Sequence, residues 1–144
     1  MRHFLIKANT WQQMLETVAL REPESGGIIG GSGNVVSCFH FDTLAATDAN
    51  SYDPDTSSLN EVIQSWQLDG VHFLGIVHSH HQFPLYPSTN DLAYARDILK
   101  LNRRALKQII FVLIIFPFTT FEESVYSFFI TRRKCFKVQP RIIA

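Results

Sequence analysis

The spacing of apolar positions changes several times along this 144-residue chain, and each change marks an element. "HFLIKA" (His3 to Ala8) reads as a strand. In "TWQQMLETVAL", Trp11, Met14, Leu15 and Val18 recur at helical spacing, with Thr10 suited to the N-cap and Pro23 closing the helix. "GGIIGG" (Gly26 to Gly31) is a glycine-rich strand, a composition that signals close approach by another backbone or a ligand. "SGN" then turns the chain into a returning strand, "VVSCFHF" (Val35 to Phe41).

The polar stretch from Asp42 to Ser57 is the longest expected loop, and loops of that length in compact domains tend to carry function. Ser58 and Glu61 fit a capping box opening a helix with Val62, Ile63 and Trp66 on one face. Asp69-Gly70 turns into a strong strand, "VHFLGIVHSH". A proline-marked loop follows, then a helix expected from Ser88 to about Arg104. The chain finishes with three strand-like runs, "IIFVLIIF", "SVYSFFITR" and "CFKVQPRII", the first apolar enough to be buried on both faces. This order predicts an α/β (α+β) fold: one domain spanning residues 1–144, with a mixed central β-sheet flanked by helices.

Composition narrows the function classes. The formal net charge is zero, so nothing marks nucleic acid or a membrane surface as the default partner. Arg103, Arg104 and Lys107 form one basic cluster and Arg132, Arg133 and Lys134 another; both read as solvated faces. Two distant cysteines, Cys38 and Cys135, make no disulfide framework and fit a reducing compartment. "MRHFLIKANTW" lacks the features of a signal peptide, and the longest apolar run is about half a membrane span, so a cytoplasmic protein is expected.

Half of the six histidines fall in "HSHH", His78 to His81. If the strand runs through Ser79, His78 and His80 share one face and His81 points away. Ser88 and Asp91 then suit the N-cap and N3 positions of the next helix, which brings the Asp91 carboxylate near the preceding loop. Two imidazoles and a carboxylate form a donor set that zinc accepts, with a fourth position left open. Capping alone explains Ser88 and Asp91 but not the paired histidines before them. Catalytic zinc also needs a base that is not a ligand. Glu24, beside the glycine-rich strand, is the candidate, with Glu22 a nearby competitor and an exposed loop glutamate the plainer reading.

His78-x-His80, seven residues, Ser88, two residues, Asp91 matches H-x-H-x(7)-S-x(2)-D, and "ESGGIIGG" resembles the acidic, glycine-rich stretch that accompanies it. Together they resemble the JAMM zinc metalloproteases of the MPN/JAB superfamily. The resemblance implies that His78, His80 and Asp91 bind zinc, that Glu24 is the general acid/base and that Ser88 hydrogen-bonds the oxyanion. It implies cleavage of an isopeptide or peptide bond after the C-terminus of a ubiquitin-like protein, which would be the partner, free or conjugated. His81 stands where many eukaryotic members have proline, Gly26 where many have cysteine and Val77 where an aromatic is frequent. These departures look more like small bacterial members. Some of those are encoded beside activating and conjugating enzymes in antiviral cassettes, which adds such enzymes as expected partners.

An extended substrate tail would add to a sheet edge, walled by the Asp42 to Ser57 loop and by Phe83, Leu85 and Tyr86; those three could equally pack on the following helix. The alternatives are a non-catalytic MPN scaffold and a zinc hydrolase of another amide. A cysteine hydrolase using Cys38 is weak, because that thiol lies in an apolar strand.

Overall fold

The computed structural model describes residues 3–20, 24–43, 45–48, 51–81 and 85–144. Strand β1 (His3–Lys7) runs directly into helix α1 (Ala8–Thr17), and Lys7 takes the N-cap position without a side-chain bond. Thr10 is therefore inside the helix and buried, not its cap, because the strand hands over to the helix without a loop. Glu22, Pro23 and Phe83 lie outside the described residues. Next come β2 (Gly26–Ser32) and β3 (Val35–Phe41), joined by a turn through Gly33 at φ 61°.

The expected long loop contains a small hairpin, β4 (Ala46–Asp48) and β5 (Ser51–Asp53). Helix α2 (Thr56–Leu68) begins earlier than the sequence suggests. The Asp55 carboxylate accepts from the Ser58 amide at 2.9 Å and caps it, so Ser58 is an N3 donor and not the start of a capping box. The turn at Asp69-Gly70 leads to β6 (His72–His80), followed by α3 (Thr89–Leu101). Then come β7 (Ile109–Ile115), a short α4 (Phe121–Ser124), β8 (Val125–Ile130) and β9 (Cys135–Ile143).

The sheet is mixed. Strands join in the order β1-β3-β2-β6-β7-β8-β9, and β9 pairs back with β1, closing a barrel. β6 and β7 are parallel, as are β1 and its two neighbours; the other pairings in the barrel are antiparallel. The glycines of β2 allow close backbone packing: a Cβ on Gly27 would overlap the His40 carbonyl, and one on Gly31 the Val35 carbonyl.

Two cores lie on the two faces of β7, which is buried along its whole length. Ile110, Val112 and Ile114 face a core with Met14 and Val18, while Ile109, Phe111 and Leu113 face one with Ala95 and Leu99 of α3. Apart from the small Ala95, burying each such side chain contributes about 1.5–3 kcal/mol. The same alternation runs along β6: Val77 belongs to the first core and Ile76 to the second, so His78 and His80 emerge on the side covered by α3. Among the described residues no helix is long and apolar enough to cross a membrane.

Candidate metal centre

β6 continues through Ser79 to His80, which puts the His78 and His80 rings on one face, their centroids 4.7 Å apart. Both residues are buried. His81 is exposed and its ring lies against Phe116, away from the pair.

Ser88 starts α3. Its hydroxyl accepts from the Asp91 amide at 3.0 Å, while Asp91 Oδ2 accepts from the Ser88 amide at 2.8 Å. This reciprocal capping box fixes the Asp91 carboxylate. From there Oδ1 meets His78 Nδ1 at 2.9 Å and Oδ2 meets His80 Nε2 at 3.3 Å. Glu24 approaches from the other side, with Oε1 3.1 Å from His78 Nε2. The structure thus brings together all five residues singled out from sequence: Glu24, His78, His80, Ser88 and Asp91.

The sequence reading missed what holds Glu24 there. Ser79, between the histidines, points to the opposite face and is fully buried. Its amide donates to the Ser25 carbonyl at 2.9 Å, and its hydroxyl accepts from the Ser25 amide at 2.9 Å. Ser25 is thereby stitched to β6, and Glu24 is the residue before it. No motif marks this clamp, since serine bonds to backbone in many settings.

Burial alone would lower the pKa of His78, but its hydrogen bonds to Asp91 and Glu24, and their charges, outweigh it and hold His78 above the usual value. Burial would likewise raise Asp91, yet bonds to His78 and His80, the His78 charge and the Ser88 amide drive it well below the usual carboxylate range. Both carboxylates therefore contact one imidazole in a mostly water-excluded place. Buried charges of one sign need a counter-charge, from protons or from a cation. One ligand atom each from Glu24, His78 and His80 lie within 4.8 Å of one another, close enough to share an ion. Two nitrogens and two available carboxylates suit zinc by donor chemistry and charge.

Leu85 packs against the second core, while Tyr86 is exposed. Asp42 Oδ2 accepts from the Asp55 amide at 3.0 Å and ties together the two ends of the β4–β5 loop. Cys38 pairs with Gly30, at the far end of β2 from the Gly26–His78 pair, which keeps it away from this centre.

A family model described as "Prokaryotic homologs of the JAB domain" matches residues 7–130. The chain belongs to this prokaryotic JAB family. Solved structures agree in fold. A protein of Desulfitobacterium hafniense, determined in solution, is similar with a TM-score of 0.70 at 17% identity, over 97% of this chain and 92% of that one. A JAB1/MPN domain protein of Archaeoglobus fulgidus matches with a TM-score of 0.59 at 18% identity, covering 98% of each chain. A structure described as JAMM, a metalloprotease-like zinc site in the proteasome and signalosome, matches with a TM-score of 0.56 at 18% identity and the same coverage. No curated protein sequence matches. The JAB domain here thus has the α+β fold of those JAB1/MPN and JAMM structures and carries a group of side chains suited to a metal.

Proposed function

We propose that this JAB-domain protein is a zinc-dependent isopeptidase or peptidase that cleaves after the C-terminus of a ubiquitin-like protein, in precursor processing or deconjugation. The observation that carries the reading is the convergence of two buried imidazoles and two carboxylates where β6 ends and α3 begins. His78, His80 and Asp91 are the proposed zinc ligands. Asp91 suits that role because it lies against both histidines and the capping box holds its carboxylate in place. Glu24 suits the base: it reaches His78 through one oxygen and is the more exposed carboxylate.

When bound, zinc acidifies water toward a pKa of about 7 and polarises a carbonyl. Glu24 takes the water proton and later delivers it to the leaving amine. The Ser88 oxygen accepts from the Asp91 amide, which leaves its hydroxyl proton for the developing oxyanion. Capping and catalysis thus use different parts of the same hydroxyl.

A substrate tail needs an open strand edge. Among the described residues the closed barrel offers none, so the β4–β5 hairpin is the proposed docking edge. The prokaryotic family and the His81 departure favour a cytoplasmic role in a bacterial ubiquitin-like pathway, antiviral conjugation included, with activating and conjugating enzymes as further partners.

The test is zinc analysis of purified protein coupled to a panel of ubiquitin-like fusions, each ending in Gly-Gly before a reporter. Bound zinc with cleavage of at least one fusion supports the reading. Glu24→Gln should abolish cleavage with zinc retained. Loss of zinc in that variant would make Glu24 a ligand and not the base. Bound zinc without cleavage of any fusion would favour a scaffold or a hydrolase of other amides.

A further inference from the structure

β7 and β8 pair with Ile109 opposite Ile130. The run preceding Ile109 and the run following Ile130 therefore sit at the same end of the barrel. They bring together Arg103, Arg104 and Lys107 with Arg132, Arg133 and Lys134 around one shallow surface. These are six of the 13 lysines and arginines of a chain with zero net charge. All six are exposed, and among the described residues none forms an ion pair with a carboxylate. The sequence reading took them as two separate solvated faces; the fold makes one concentrated positive surface.

The backbone under these cations is fixed. The Lys134 amide donates to Thr131 Oγ1 at 2.9 Å, and the Thr131 amide donates to the Lys134 carbonyl at 2.8 Å. Arg96 Nε of α3 donates to the Thr131 carbonyl at 3.2 Å and fastens the turn to the helix. Leu106 lines this surface and also an adjoining groove of about 450 Å³ between α2 and α3. That groove is walled by Ile63, Phe73, Ile98 and Leu101, and Leu101 is 84% exposed.

We propose that this end of the protein docks an acidic amphipathic helix of a partner protein, with apolar residues in the α2–α3 groove and carboxylates on the arginine-rich rim. Charge complementarity sets the sign of the partner. The groove sets its class: a nucleic-acid backbone would satisfy the cations and leave Leu101 and its neighbours uncovered. Among the described residues no aromatic side chain lines the basic surface to stack a base. Arginine beside an apolar centre is the composition of a protein interface, and a groove between two helices suits a third. Leu101, at the edge of this surface, lies about 15 Å along α3 from Asp91, and the arginines beyond it lie farther. Docking here is therefore independent of the hydrolytic reading.

The probe is a fluorescein-labelled helical peptide of about five turns, with leucine along one face and glutamate on the other. Anisotropy should show saturable binding that salt weakens. Arg132→Glu/Arg133→Glu, and separately Leu101→Glu, should each weaken it by at least about tenfold. Replacing the peptide leucines by serine should do the same. All these protein changes fall on exposed positions, and circular dichroism checks the fold. Three results would overturn the proposal: no saturable binding, equal binding of the serine peptide, or a DNA duplex that outcompetes the leucine peptide. A salt-sensitive dimer that buries Leu101 would also overturn it, by making a second copy the occupant.

Discussion

The two ends of α3 treat charge in opposite ways. At the N-terminal end Asp91 is half-buried, bonded to two buried imidazoles and locked by a reciprocal cap. Beyond the C-terminal end Arg103 and Arg104 stand in solvent with no carboxylate partner among the described residues. Removal from water makes each charge at the first end costly unless matched, so each is paired and held by hydrogen bonds. Exposure makes each charge at the second end cheap and loosely placed, so only the sum of the field matters. The first end suits the chemistry proposed for it at a point, the second the proposed attraction over an area.

The contrast breaks most sharply at His78. His78→Ala should reduce zinc from one equivalent to nearly none and take hydrolysis below detection, as read by metal analysis of the purified variant. Stoichiometric zinc in that variant would remove His78 from the ligand set.

Ser88 comes next, because it serves both the helix and the proposed reaction. Ser88→Ala should cost about 1 kcal/mol of stability through the lost cap and slow turnover about 100- to 1,000-fold. Glycine caps nearly as well as serine, so Ser88→Gly should restore most of the stability and none of the rate. If the glycine variant recovers the rate as well, Ser88 is a cap only.

Ser79 tests whether the clamp beneath Glu24 matters. Ser79→Ala should leave zinc bound while turnover falls by up to about 100-fold, the penalty for a catalytic group displaced by about 1 Å. The loss should appear in kcat and not in KM. Unchanged kcat would mean that Ser25 is held well enough by its backbone bond to Ser79.

The metal-free protein should also show its charge matching in its pH profile. Asp91 lies below its ordinary 3.8 in the folded state, so its contribution is present above that pH and is lost as pH falls. His78 lies above its ordinary 6.5, so its contribution is full below 6.5 and is lost as pH rises through the raised value. Denaturation with chelator present should therefore show greatest stability between the two. Added zinc should restore stability on the alkaline side, where it replaces the lost proton.

The site was legible because its residues sit close in sequence and obey local rules. His78-x-His80 shares a face by strand alternation, and Ser88 with Asp91 is a helix start. Local rules misplaced two other helix starts, at Thr10 and Ser58, because a nearby residue or strand won the cap. Barrel closure was illegible: β1 and β9 lie at opposite ends of the chain, and nothing in either names the other. The convergence of 103–107 with 132–134 was hidden for the same reason, since it depends on the β7–β8 register.

The smallest expected effect belongs to the exposed end. Among the described residues Arg132→Glu/Arg133→Glu removes no packed group and no hydrogen bond made by a side chain, so stability should change by no more than about 0.5 kcal/mol. Because the surface lies about one helix length from Asp91 and screening acts over about 8–10 Å, zinc content and hydrolysis of a minimal Gly-Gly reporter should stay as they were. Raising salt should then erase what little difference remains. A large loss of zinc in this variant would show that the two ends share one field, and the division of labour along α3 would fail.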